Sequence, residues 1–196
     1  MLRRIIDRFG YIINRAYQQS YYHEFANIGK GARLGRFVRI DSPDCVSIGS
    51  NVYIGDYTWI SSPKLNYQRD EPPKELHPRI NIRDGTYIGR FTTIACISKI
   101  DIGKKVMFSD RCYIGDCYHG YRKKDIPIID QYLYSPGPIG VGDGTWIGIN
   151  VSILPKVTIG KQCIVGANSV VTKNIPDYHI AAGNPAEVIR RIAFDE

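Results

Sequence analysis

The run from residue 141 to 176, VGDGTW IGINVS ILPKVT IGKQCI VGANSV VTKNIP, repeats every six residues. Its first position is aliphatic throughout: Val141, Ile147, Ile153, Ile159, Val165 and Val171. Its second is mostly small (Gly142, Gly148, Leu154, Gly160, Gly166, Thr172), and its fifth is small or β-branched (Thr145, Val151, Val157, Cys163, Ser169, Ile175). A hexapeptide period is a signature of a parallel β-helix. Six residues supply one short strand and one corner, and three such segments close a triangular coil. The first-position aliphatic then points inward and stacks on its counterpart in the next coil. Small residues suit the corners, where backbones crowd and Gly tolerates positive φ. An α-helix is excluded. Each interior Gly would cost a helix about 1 kcal/mol, and the apolar spacing misses the 3.6 period. One coil cannot bury its own core, so stacking is obligatory.

At 196 residues the chain is long enough for one domain with a core. The net charge of +7 would suit nucleic acid, an anionic membrane face or a polyphosphorylated cofactor. Ordinary surface composition produces the same excess. No basic run or zinc-finger spacing accompanies it, so no nucleic-acid partner is expected. The five cysteines (Cys45, Cys96, Cys112, Cys117, Cys163) are odd in number and lie mostly at repeat positions. They read as small core residues of a protein in a reducing compartment. No apolar run approaches membrane-spanning length, and Asp7 and Arg8 interrupt any signal-peptide core. A cytoplasmic location is expected.

Along the chain, residues 1–25 form an N-terminal segment unlike the rest. Leu2, Ile5, Ile6, Phe9, Ile12, Ile13, Ala16 and Tyr17 share one helical face, and Arg3, Arg4, Arg8 and Arg15 lie mostly on the other. Such an amphipathic helix packs on the first coil or on a neighbouring subunit, or it rests through residues 2–22 on an anionic membrane at its inner face. Gly10 weakens it in either case. The repeat domain spans 26–178. Two stretches break its period and read as excursion loops: about 63–79, polar and Pro-rich, and 120–138, basic at its start, aromatic later and closed by Pro-Gly-Pro. Long loops in a compact repeat are usually functional or disordered. The tail, 179–196, crosses a Gly-Asn-Pro turn and is expected to end in a short helix from Ala186.

Three signatures, WIGINVSILPKVTIG (146–160), VGANSVVTKNIP (165–176) and AAGNPAEVIR (181–190), resemble the hexapeptide-repeat acyltransferases. The similarity runs from about residue 28 to the end. The branch it resembles is that of the sugar O-acetyltransferases, including maltose and galactoside acetyltransferases and enzymes acting on capsular, O-antigen or colanic-acid sugars. The resemblance implies a mainly β fold, a left-handed parallel β-helix. The general rule for parallel crossovers favours right-handed coils, so the handedness comes from the resemblance alone. It also implies acetyl-CoA as acyl donor, no metal, and a homotrimer with its active sites between subunits.

Acetyl transfer to a neutral hydroxyl needs a base, and imidazole suits the task. Among His23, His77, His119 and His179, the third ends the hexad IGDCYH and opens the second excursion. Related polysaccharide O-acetyltransferases carry a segment resembling Asp-His-x-His-Gly there, with the second His as base. Here it reads Asp116-Cys117-Tyr118-His119-Gly120, so the base position is kept and Cys117 replaces the first His. Asp116 either orients the imidazole as the third member of a relay or is a corner Asp in a turn. Cys117 is a nucleophile only if something lowers its pKa, and a coil corner offers no evident cause. A backbone N–H is expected to hold the oxyanion.

The resemblance assigns Gly148 and Ala167 to the pantetheine arm, Trp146 to its reactive end, Thr172 and Lys173 to the adenosine end, and Arg190 to the phosphates. Each cation is otherwise a solvated surface charge. Glu187 stands where relatives often carry Lys or Arg, which would weaken the hold on phosphate. Tyr118, Tyr121, Tyr132, Tyr134 and Arg122 offer flat faces and donors to a sugar acceptor; ordinary loop packing would use them as well. Three other readings compete. A metal enzyme resembling the γ-class carbonic anhydrases needs about three His from neighbouring coils, and this chain lacks paired His at coil spacing. An amino sugar N-acetyltransferase would use the same base. A non-catalytic β-helix scaffold or binding protein would use none.

Overall fold

A computed structural model describes residues 9–10, 12–13, 15–17, 19–20 and 22–195. Among these residues the chain is mainly β and winds around three parallel faces. The first face stacks Asn27–Ile28, Val46–Ile48, Arg79–Ile82, Lys99–Ile102, Ile139–Val141 and Thr158–Ile159. The second stacks Arg33–Leu34, Tyr53–Ile54, Tyr87–Ile88, Met107–Phe108, Trp146–Ile147 and Ile164–Val165. The third stacks Arg39–Ile40, Trp59–Ser61, Thr93–Ala95, Tyr113–Gly115, Ser152–Ile153 and Val170–Val171. Every coil visits the faces in that order. Strands in register across coils place like residues on like, such as Ile94 beside Ile60 and Ile114.

The six-residue period dictates the core. Ile48, Ile82 and Ile102 from the first face meet Ile54, Ile88, Phe108 and Ile147 from the second and Ile60, Ile94, Ile114 and Ile153 from the third, all essentially without solvent exposure. Burying one such side chain is worth roughly 1.5–3 kcal/mol, which sustains strands only two to four residues long. Fifth-position hydroxyls point inward beside them and find corner carbonyls. Thr86 Oγ1 donates to the Gly103 oxygen at 2.8 Å and Thr145 Oγ1 to the Gly160 oxygen at 2.8 Å.

The corners separate two demands that one residue type was expected to meet. Second-position glycines answer crowding. A Cβ on Gly89 would lie 2.4 Å from the Ser109 carbonyl, and one on Gly148 would lie 2.7 Å from the Ala167 nitrogen. Positive φ falls instead on the fourth position, on Gly144 but also on Phe91, Asn150, Lys156, Gln162 and Asn168.

The tail departs from expectation. Residues from Ala186 are not helical. Ala186–Arg191 is a strand antiparallel to His179–Gly183, which itself extends the second face beside Ile164–Val165. A six-residue helix has too few internal bonds to stand alone, whereas the open edge of the last coil presents unpaired backbone groups that a strand can cover.

At the other end, the described residues from 9 to 20 are helical, and Phe9, Ile12, Ile13 and Tyr17 are 52–69% exposed. The first coil does not bury that face. The expectations resting on Leu2, Arg3, Arg4, Ile5, Ile6 and Arg8 fall outside the described residues. Among the described residues no helix is long and apolar enough to cross a membrane.

Candidate functional site

Both interruptions of the period leave from one corner, where the chain passes from the third face to the first. The earlier one folds into an antiparallel hairpin, Leu65–Gln68 with Glu71–Glu75. The later one begins with Tyr118–His119, which pairs antiparallel with Leu133–Tyr134. Between them lies the tight corner 95–99 of the intervening coil. The three together enclose a cleft of about 310 Å³. Ser61 and Pro63 line it from one coil, Ala95, Cys96 and Ile97 from the next, and Tyr113, Cys117, Tyr118, His119 and Leu133 from the third.

His119 stands exposed at the rim of this cleft. Among the described residues no hydrogen bond reaches its ring. Asp116 is not hydrogen-bonded to it; of the two readings open to Asp116, relay member or corner Asp, its contacts are those of a corner Asp and not those of a relay. The Asp116 carboxylate is fully buried and turned into the neighbouring corner. Oδ1 accepts from the Ile97 N–H at 2.9 Å, and Oδ2 accepts from the N–H groups of Ser98 at 2.9 Å and Lys99 at 2.7 Å and from the Cys96 thiol at 3.4 Å. Buried backbone donors must find acceptors, and an ionised acceptor serves several strongly. These three N–H groups are therefore already used and do not face an oxyanion.

Cys117 is half-buried, and desolvation, with the adjacent Asp116 charge second, pushes its thiol up to about 11. It is neutral near pH 7 and a poor nucleophile. Cys117→Ser is expected to keep wild-type turnover. Alkylation of Cys117 by iodoacetamide, followed by peptide mass spectrometry, is expected to be slow at pH 8 and to accelerate only as pH rises toward 11. Rapid labelling at neutral pH with loss of activity would contradict both statements.

The aromatic residues sort into two groups. Tyr134 lies 5.8 Å from Tyr118 and 6.0 Å from Tyr121 between ring centroids, with the Arg122 guanidinium 5.8 Å from its ring. A hydrogen bond between Tyr121 and Tyr134, then Arg122, lowers the Tyr121 phenol from its ordinary value, and the same bond raises Tyr134. Tyr132 points the other way. Its hydroxyl donates to the Pro72 carbonyl at 2.5 Å and its ring carries the Lys74 ammonium at 4.0 Å.

Two polar residues not marked in the sequence hold the excursions. Gln131, buried, bridges Lys123 and Ile126 backbone groups at 2.9–3.1 Å. Asn66, also buried, reaches from the hairpin to both backbone groups of Leu133.

The residues assigned to the acyl donor are not gathered around His119. Trp146 lies on the second face, half-exposed, its indole N–H 3.2 Å from Ser109 Oγ. Gly148 and Ala167 follow at the corner from second to third face, stacked in successive coils. Thr172 and Lys173 leave the third face on the same side as His119, two coils further along. Lys173 Nζ pairs with Glu187 at 3.3 Å, and Arg190 is exposed on the last strand. Within one chain, then, His119 and the Trp146–Gly148–Ala167 corner occupy opposite edges of the third face. Among the described residues no three His, Cys, Asp or Glu side chains are grouped to hold a metal.

A model of the bacterial transferase hexapeptide, six repeats, matches residues 138–173. Residues 138–173 are thus hexapeptide repeats of the bacterial transferase kind. A Mycobacterium tuberculosis protein provisionally named an acetyltransferase is 41% identical over 163 residues, 83% of this chain and 49% of that one. The chain thus spans about half the length of this curated relative. A maltose O-acetyltransferase from Clostridium difficile 630 superposes with a TM-score of 0.60 at 26% identity, covering 90% of this chain and 75% of that one. The N-acyltransferase AntD from Bacillus cereus, in complex with dTDP-4-amino-4,6-dideoxyglucose and coenzyme A, superposes with a TM-score of 0.71 over 91% of this chain and 90% of that one. At 20% identity that likeness concerns the fold alone.

Proposed function

We propose that this hexapeptide-repeat chain is an acetyl-CoA-dependent acyltransferase that acetylates a hydroxyl of a sugar or bacterial polysaccharide intermediate, with His119 as general base. The carrying observation is an exposed imidazole at the rim of a cleft shaped by the two interruptions of the repeat. The similarity to a maltose O-acetyltransferase supports it. His119 would take the proton of the acceptor hydroxyl as its oxygen attacks the thioester carbonyl, then return it to the departing thiolate. Tyr118, Tyr121 and Arg122 would meet the acceptor, an aromatic face with donors at its edge. We take the coil as left-handed, in keeping with the repeat and the likeness in fold.

The donor would lie against Trp146, Gly148 and Ala167, where small residues let an extended chain approach the backbone, with Thr172, Lys173 and Arg190 toward its phosphates. Since His119 and that corner are on opposite edges of one face, one copy's His119 would work with a second copy's corner. This supports a homotrimer with sites between subunits. A monomer by light scattering at assay concentration would overturn it. The ion pair of Lys173 with Glu187 competes with phosphate for the cation. Glu187→Gln is expected to tighten coenzyme A about two- to fivefold in calorimetry at low salt, an effect lost at high salt because both side chains are exposed.

An amino sugar as acceptor is the second reading, favoured by the likeness in fold to a sugar N-acyltransferase. Thiol release from acetyl-CoA against maltose, glucosamine and extracted capsular glycan tests both. Release with a hydroxyl acceptor supports the first reading, release with glucosamine alone the second. Release with none, together with no binding of coenzyme A, would favour a scaffold.

A further inference from the structure

We propose that Asn66, on the hairpin of the first excursion, positions His119. This rests on the reading of His119 as the base. Asn66 is 5% exposed. Its Nδ2 donates to the Leu133 carbonyl at 2.7 Å and its Oδ1 accepts from the Leu133 N–H at 2.8 Å. The amide thereby acts as a neighbouring strand would, closing the outer edge of Leu133–Tyr134.

Leu133 is the residue opposite His119 in the antiparallel pair. The Gly120 N–H bonds to the Tyr132 carbonyl at 2.9 Å. That pattern makes His119 and Leu133 a non-hydrogen-bonded pair, the kind with the closer side chains. The backbone groups of Leu133 therefore point away from His119 and toward Asn66, while both side chains line the cleft. With no hydrogen bond reaching its ring from the described residues, His119 takes its position from its strand, and that strand from Leu133. The other links between the excursions are the Arg69 N–H to the Asp130 carbonyl at 3.0 Å, the Tyr132 hydroxyl to the Pro72 carbonyl, and ion pairs of exposed side chains such as Lys123 with Glu71 at 2.7 Å. Asn66 is the buried one, at the base, adjacent to the residue that faces the imidazole.

The test uses the full chain in four variants. Ring proton–carbon spectra of the free protein are assigned by the signal missing in His119→Ala. Turnover is read as thiol release from acetyl-CoA with maltose or glucosamine. Asn66→Ala is expected to move or broaden the His119 ring signals while those of His179 stay. It is expected to lower kcat about tenfold or more with KM for acetyl-CoA within twofold, since small displacements of a catalytic group are costly. Asn66→Asp, nearly isosteric, turns a carboxylate oxygen toward the Leu133 carbonyl and should behave alike if the alanine variant folds poorly. Lys123→Ala should match wild type in both readouts. Unmoved His119 signals and wild-type kcat in the Asn66 variants, with His119→Ala inactive, would overturn the positioning role and leave the base reading standing. An active His119→Ala would bring down the base reading and this role with it.

Discussion

Replacing His119 by Ala is expected to lower kcat/KM for acetyl transfer by roughly 10²–10⁴-fold, the range general-base catalysis supplies. The melting temperature should hardly change. The side chain is exposed, its neighbours are held by backbone pairing with Leu133–Tyr134, and no described hydrogen bond depends on the ring. Binding of coenzyme A, measured apart from turnover, should persist, because the residues assigned to the donor lie on another corner or in later coils. Turnover within tenfold of wild type in His119→Ala would dismiss the base. Cys117 and Asp116 would not take its place, since one is a neutral thiol and the other is enclosed by backbone donors.

Asp116→Ala is expected to act in the opposite way, on stability first. It would strand the buried Ile97 N–H and Cys96 thiol and the part-buried N–H groups of Ser98 and Lys99. An unsatisfied buried donor costs about 1–3 kcal/mol, so the loss should reach about 3 kcal/mol or more, and the melting temperature should fall by roughly 10 °C for a chain of this size. Asp116→Asn should recover only part of this, since its amide nitrogen turns a donor toward donors. Calorimetric melting of both variants checks the claim. A relay partner would instead lose rate at unchanged stability, and that outcome would reverse the assignment made from the geometry.

The two residues show where sequence reading worked and where it stopped. The repeat made the place of His119 legible, since a hexad ends on it and the period breaks directly after it, whereas its reading as the base came from the resemblance. Asp116 was legible as either a relay member or a corner Asp, and the sequence did not choose between the two. Whether a carboxylate three residues before a histidine turns toward it or inward depends on the next coil, some twenty residues earlier in the chain, whose corner supplies the donors. Asn66 gave no signal of its own. On Leu65–Gln68 the usual alternation is inverted, with Leu65 and Tyr67 exposed and Asn66 and Gln68 buried, because that strand packs on the polar backbone of the other excursion. Hydrophobic patterning cannot report such a surface. The tail failed for a related reason, since an unpaired sheet edge outweighs the weak helical preference of AEVIRR.

By itself the sequence determined the parallel coil, its three inward columns and the two places where the coil opens. A six-residue period admits one way of burying its aliphatics, and that constraint is local and repeated. Only the tertiary structure decided what the corners do. The second-position glycines serve close approach and the fourth positions carry the left-handed backbone. Asp116 closes a neighbouring corner, Asn66 ties one excursion to the other, and His119 stands on a different edge of the third face from Trp146, Gly148 and Ala167. Each of these turns on which groups face one another across coils, a contact between segments tens of residues apart that no local pattern encodes.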